Sequence, residues 1–164
     1  MENINGLKRT KYCAEFTSED IGSEVVVFGW VQRQRDLGKL IFVDLRDRTG
    51  IVQLAFDEQT SEEIFDKAFS LRSEFVLAAK GEVRERSSKN LDIPTGDIEI
   101  FVEELRVLGE SETPPFEITD DTTAKEDLRL KYRFLDLRRP VLQKNMLMRH
   151  KVAKVTRDYF DQNG

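Results

Sequence analysis

Between Gly29 and Leu54 the chain reads GWVQRQRDLGKLIFVDLRDRTGIVQL, and the side-chain parity of this stretch constrains the fold more than any other feature. Successive side chains of a strand point to opposite faces. Ile41, Val43 and Leu45 therefore share one face, and Leu40, Phe42 and Asp44 the other. In the following run Val52, Leu54 and Phe56 share a face, with Ile51, Gln53 and Ala55 opposite. A core built on the first set of each run leaves Phe42 and Gln53 side by side on the outer surface. A flat ring beside a two-way hydrogen-bonding amide can stack on an unpaired base and read its edge.

The rest of the first 108 residues supplies the strands and helix that such a surface needs. Thr17 and Ser18 predict a short capped turn through Asp20. A strand follows from about Glu24 to Arg33, rich in Val, Phe and Trp. Asp36–Lys39 and Asp47–Gly50 read as turns, the second as a hairpin. Thr60 and Glu63 have the spacing of a capping box ahead of a helix whose apolar stripe is Ile64, Ala68 and Leu71. Strands are predicted again at about Glu74–Arg86 and Asp97–Leu108, joined by the polar loop SSKNLDIPTG. Three strands, a helix and two strands is the order of the OB-fold, a five-stranded Greek-key barrel that binds ligands on its second and third strands. The fold class predicted is thus mainly β with helices: a barrel over 1–108, a helix between strands three and four, and a helical hinge segment after it.

Residues 109–127, GESETPPFEITDDTTAKED, read as an acidic linker. Residues 128–164 carry two helical patterns separated by Pro140, with Thr123 and Glu126 spaced to box the first. The second places Met148, Val152, Val155 and Tyr159 on one stripe and ends at Gly164, a suitable C-terminal cap. That stripe must pack back on the barrel, pair with a second copy, or belong to a further domain.

Charge and composition narrow the function. The net charge is −5, divided as −6 over 1–108, −6 over 109–127 and +7 over 128–164, whereas the 29–54 window is +2. A nucleic-acid surface there is a local patch on an acidic body, so specific contacts must do more than bulk attraction. Cys13 and His150 are the only residues of their types, which excludes the usual zinc sites and an internal disulfide. No membrane-length apolar run or signal-peptide core is present. These features predict no metal, no membrane partner, no catalytic set within this sequence, and a cytoplasmic location.

With GWVQRQRDLGKLIFVDLRDRTGIVQL, LRSEF, PTGDIEI and LRLKYRFLDLRRP, nearly the whole chain resembles the N-terminal part of the bacterial-type aspartyl-tRNA synthetases. The first block is shared more loosely by the asparaginyl and lysyl enzymes. The resemblance implies an OB-fold that binds a tRNA anticodon, a hinge, and the start of a class II catalytic domain. It also implies that the parent enzyme is a homodimer using ATP and magnesium to aspartylate tRNA, with its class II motifs beyond Gly164, so that this chain alone is inactive and either a fragment or a stand-alone paralogue. A non-enzymatic single-strand-binding OB protein, an anticodon-binding part of an asparaginyl or lysyl enzyme, and a module docking through the last helix are the alternatives.

Residue by residue, the resemblance places Phe42 on the central anticodon base and Gln53 on the edge of that base. Arg35 matches a contacting arginine. Arg86, Asn90 and Glu99 match positions near the first base. Arg33, Arg46 and Arg48 offer guanidinium forks suited to phosphates or base edges. Their alternative is a solvated surface paired with Asp36, Asp44 and Asp47, and Arg46 and Asp47 are better suited to shaping the hairpin. The basic run from Arg129 to Lys151 reads either as a solvated helix face or as a contact to tRNA backbone.

Overall fold

The computed structural model describes residues 2–164 and divides into two compact units, Met1–Thr113 and Pro114–Gly164. In the first, strands β1 (Glu24–Asp36), β2 (Ile41–Arg46), β3 (Ile51–Phe56), β4 (Val76–Glu85) and β5 (Ile98–Gly109) close a barrel in the order β1-β2-β3-β5-β4. All pairings are antiparallel except β3 with β5, where Leu54 and Ala55 run parallel to Ile100 and Phe101. Closure leaves no sheet edge to solvent. This is the five-stranded barrel that the order of elements predicts.

The parity reading holds inside the barrel. Ile41, Val43, Leu45, Val52, Leu54 and Phe56 are all fully buried. Helix α1 (Glu62–Ser70) lies between β3 and β4 and buries Ala68, followed by Leu71, with Ile64 and Phe65 packed against the core. Two acidic residues, Glu62 and Glu63, open it and Lys67 lies in its last turn, matching the helix dipole. Gln34 of β1 donates to the carbonyls of Ala68 and Phe69 at 3.3 and 3.4 Å, tying the helix end to the barrel. The capping box predicted from Thr60 does not form: Ser61 is the N-cap, and the Thr60 hydroxyl instead accepts from the Asp57 amide at 3.1 Å. Closing that turn uses the oxygen the box would need.

Two local devices set the outer surface. Gly29 lies where an added Cβ would stand 2.4 Å from the Arg46 carbonyl oxygen, so the close approach of β1 to β2 requires a bare backbone. The second device is a break in register between Val31 and Arg33. Val31 faces inward and is fully buried. Simple alternation would send Arg33 and Arg35 inward with it. The extra residue, Gln32, resets the parity. Arg33 is thereby paired with Asp44 and Arg35 with Phe42, on the outside. Arg46 holds the break in place. Its guanidinium hydrogen-bonds the Gln32 side chain and spans both oxygens of Glu74 at 3.1 Å.

In the second unit, helices α2 (Glu126–Lys131), α3 (Arg133–Asp136) and α4 (Pro140–Asn163) follow an irregular segment. Lys125 caps α2 without a side-chain bond, so the box predicted from Thr123 is absent; the neighbouring Thr122 hydroxyl accepts from the Ala124 amide instead. Pro140 occupies the first turn of α4, where its missing N–H costs nothing. Asp120 receives the next free amide, that of Val141, at 3.2 Å. Asp136 is fully buried and receives Arg139 at 3.2 Å, Arg129 at 3.7 Å and Arg133. Arg139 also donates to the carbonyls of Thr119 and Asp120, each at 3.0 Å. The arginines at the start of the basic run thus converge on one carboxylate. Further along α4, Met148, Val152, Val155 and Tyr159 are exposed.

Candidate nucleic-acid interface

The outer face of β1, β2 and β3 gathers Arg33, Arg35, Phe42, Asp44 and Gln53, with Glu99 contributed by β5. Parity places Phe42 and Gln53 on the same face, as the sequence predicts, but not directly opposite each other. The Asp47–Gly50 hairpin pairs Arg46 with Ile51, so Phe42 falls opposite Ala55 and Gln53 opposite Asp44. Turn length fixes register, and the two side chains are diagonal neighbours.

Hydrogen bonds order this surface. The Arg35 Nη2 donates to Asp44 Oδ1 and to Gln53 Oε1, both at 2.9 Å. Gln53 Nε2 in turn donates to Glu99 Oε2 at 2.7 Å. The Arg35 guanidinium carbon lies 5.7 Å from the centre of the half-buried Phe42 ring. A single row thus runs Asp44, Arg35, Gln53, Glu99, with an aromatic ring beside it. Gln53 is only 2% exposed, which differs from a free amide on a wet face. The neighbours that cover it also fix which end of its amide donates, so its hydrogen-bonding direction is set before any ligand arrives.

Glu99 is the electrostatically unusual member. Burial pushes its carboxyl above the ordinary glutamate range, against the Gln53 hydrogen bond and the nearby charge of Arg86. Arg84, one strand away, stacks its guanidinium 3.8 Å from the centre of the Phe101 ring. Arg86 follows β4, and its side-chain Nε is buried without a hydrogen-bond partner. Asn90 is turned to its own loop: its side-chain oxygen accepts from the Asp92 amide at 3.0 Å and its backbone amide donates to Gly96 at 2.9 Å. Gly96 permits this closure, since a Cβ there would meet the Asn90 carbonyl oxygen at 1.6 Å. Arg33 is exposed beside Asp44.

Asp47 is structural, as the hairpin reading suggests. Its carboxylate accepts from the Cys13 amide at 2.8 Å, from the Thr49 amide and hydroxyl at 2.7 and 2.6 Å, and from the Gly50 amide at 3.3 Å. Burial works against its charged form, but these donors outweigh that and hold the carboxyl below the usual range. Cys13 is buried, and burial together with the Asp47 charge pushes its thiol up. It packs in the hydrophobic core. Among the described residues no group of His, Cys, Asp and Glu side chains is placed to hold a metal ion, and no helix is long and apolar enough to cross a membrane.

What the sequence reading missed are the Arg84–Phe101 stack and a second aromatic–arginine group around Tyr12. Both depend on pairings between distant segments. The Arg84–Glu99 register across β4 and β5 becomes visible only when the barrel closes.

Known proteins of similar sequence and shape can be set beside this geometry. Residues 25–108 match the family described as OB-fold nucleic acid binding domain, and residues 125–164 match class II tRNA synthetases (D, K and N). The aspartate–tRNA(Asp/Asn) ligase of Halothermothrix orenii is 58% identical over 99% of the chain, and the aspartate–tRNA ligase of Ruminiclostridium cellulolyticum 56% identical over the same share. The chain spans 28% of the length of each of these relatives. The asparaginyl-tRNA synthetase of Pyrococcus horikoshii with asparaginyl-adenylate superposes with a TM-score of 0.78 at 31% identity, over 96% of this chain and 35% of that one. The aspartyl tRNA synthetase of Entamoeba histolytica superposes at 0.86 and 20% identity, over 97% and 38%, which speaks to the fold alone.

Proposed function

We infer the function from the family: this chain belongs to the OB-fold nucleic acid binding domains, as the N-terminal region of an aspartate–tRNA ligase. We propose that its barrel recognises a tRNA anticodon. The observation that carries the reading is the row Asp44, Arg35, Gln53, Glu99 beside Phe42: Phe42, Asp44 and Gln53 lie on the second and third strands, where an OB-fold takes its ligand, with Arg35 added from β1 and Glu99 from β5. Phe42 supplies a stacking surface for one unpaired base. Gln53, oriented by Arg35 and covered by its neighbours, reads that base's edge once the partly open Arg35 and Glu99 side chains exchange partners for the ligand, and Glu99 accepts from an amino or imino group of a neighbouring base. Arg33 and Arg86 add charge around the loop. Asn90, by its hydrogen bonds, shapes the loop that borders the site.

The proposal for the whole ligase is that it attaches aspartate to tRNA with ATP and magnesium, as a homodimer in the cytoplasm. No group among the described residues is arranged for the metal, so no step here runs through it. The role of this region is selection: bases splayed onto the barrel fix how the rest of the tRNA is presented.

Titration with an RNA hairpin carrying the aspartate anticodon tests the reading. Phe42→Ala is expected to weaken binding roughly 5- to 150-fold, the range for losing one base stack. Gln53→Ala is expected to reduce discrimination at the base that Phe42 stacks on. Unchanged affinity in the first variant, or equal binding of hairpins with unrelated anticodons by the native chain, would overturn it.

A further inference from the structure

The 47–50 hairpin and the N-terminal segment carry a second group of cationic side chains, apart from the base-reading row. The guanidinium carbons of Arg9 and Arg48 lie 4.7 and 4.6 Å from the centre of the same Tyr12 ring. Arg9 is also 5.2 Å from the centre of Phe28, and its Nη2 donates to the Phe28 carbonyl at 3.4 Å. Two cations thus share one aromatic ring. Stacking fixes a guanidinium's plane while leaving N–H groups along its edges available to a planar or tetrahedral anion.

Neither arginine is neutralised. Among the described residues no carboxylate lies within ion-pair distance of Arg9 or Arg48. The nearby acids are committed elsewhere: Asp47 to the amides of Cys13, Thr49 and Gly50 and to the Thr49 hydroxyl, and Glu15 to the Tyr12 amide at 2.8 Å. The Nε of Arg9 is buried with no hydrogen-bond partner. On a chain whose net charge is −5, two adjacent guanidiniums held by one ring and outside any ion pair make a local cationic spot suited to an anion.

Their place relative to the row defines the anion. Arg48 follows Asp44 by four residues, so the chain holds the two within about 14 Å of each other. A single strand of a few nucleotides spans such a distance, so its phosphates can reach the site while its bases lie on the row. The outer surface between them is formed by Arg46 with its pair partners Trp30, 42% exposed, and Ile51. We propose that Arg9 and Arg48, held by Tyr12, form a binding site for the phosphodiester backbone of the RNA strand that continues from the bases read at Phe42 and Gln53. The assignment rests on the anticodon reading for what lies at the other end of that strand. The site adds affinity without reading sequence.

The experiment compares the whole chain with its Arg48→Ala, Arg48→Lys, Arg9→Ala/Arg48→Ala and Phe42→Ala variants, with thermal melting confirming that each is folded. The probes are an RNA hairpin bearing the aspartate anticodon, a hairpin with an altered central base, and the anticodon triplet alone as a short single strand. Arg48→Ala is expected to weaken both hairpins equally, roughly tenfold. It should flatten the slope of log affinity against log salt by roughly 0.7–0.9 for the one phosphate lost. Arg48→Lys should restore most of the slope, and binding of the short strand should not change. Phe42→Ala should do the reverse, weakening the short strand as well as the hairpins and keeping the slope. If Arg48→Ala and the double variant leave hairpin affinity and salt slope unchanged, the phosphate site is wrong, whatever Phe42→Ala does. If instead the slope falls while Phe42→Ala has no effect, the phosphate site stands and the base-reading assignment fails.

Discussion

Arginines converge on carboxylates in two regions of this protein, and the two clusters differ in what surrounds them. In the second unit, Arg129, Arg133 and Arg139 meet Asp136, whose side chain is completely enclosed. On the barrel face, Arg35 meets Asp44 with both side chains partly open to water, and the pair passes its orientation to Gln53 and Glu99. A buried carboxylate needs its cations, because an unpaired charge in a low-dielectric interior is expensive. An open pair contributes little energy and can exchange its partners for a ligand. Enclosure therefore makes the first cluster a strut and leaves the second free to act as a recognition surface.

The sharpest way to break this contrast is Asp136→Ala. It leaves three guanidiniums around an empty buried position, and about 3–5 kcal/mol of stability should be lost from the Pro114–Gly164 unit. Limited proteolysis and hydrogen exchange should show that unit opening while the barrel remains protected. Asp44→Asn on the barrel should cost under about 1 kcal/mol in urea unfolding. A loss as large as that of Asp136→Ala would mean the surface row is a strut as well. The same variant should still bind anticodon hairpins, but with reduced discrimination, because Arg35 no longer has a charged anchor.

Asp47 lies between these extremes: it is enclosed, yet it is held by amides and a hydroxyl. Asp47→Ala strands the buried Cys13 amide and should cost about 1–3 kcal/mol, read as a shift in the urea midpoint. Since its folded carboxyl titrates below the unfolded value, its contribution is present above the unfolded pKa. It is lost as pH falls through the lowered folded value. The variant's deficit should therefore shrink in acid. Glu99 has the opposite sign. Its folded carboxyl titrates above the unfolded value, so the native state binds the extra proton between the two. Stability contributed by that proton falls as pH rises through this window. Glu99→Gln keeps an acceptor for Gln53 and removes the titration. Its gain in stability, on the order of 1 kcal/mol or less, should appear at pH 7 and vanish below the unfolded pKa. A pH-independent effect would show that Glu99 is held by geometry and not by its charge.

Much of the barrel was legible because the information is local. Alternation at Ile41–Leu45 and Val52–Phe56 names the buried face without knowledge of any partner strand. The turn residues at Asp47–Gly50 and the strip Ile64, Ala68, Leu71 place the hairpin and helix to within a residue or two. The capping boxes at Thr60 and Thr123 were not, since a hydroxyl has several amides within reach and spacing alone does not choose among them. The motif LRLKYRFLDLRRP is recognisable as a string, yet the role of its arginines around Asp136 depends on burial, which no local pattern reports.

By itself, then, the sequence determined the order of strands, the inner face of the barrel and the identity of the aromatic and amide on its outer face, because each follows from periodicity within a short segment. The outward turn of Arg33 and Arg35, the diagonal rather than direct pairing of Phe42 with Gln53, and the sharing of Tyr12 by Arg9 and Arg48 were decided only by the tertiary structure. They depend on an inserted residue at Gln32, on the register set by a hairpin and on contacts between segments far apart in the chain. Closing the barrel fixes the first two together, since a strand with neighbours on both sides cannot slip by one residue without exposing its core face, and the third follows from the hydrogen bonds of the Cys13 and Ala14 amides to the 47–50 hairpin.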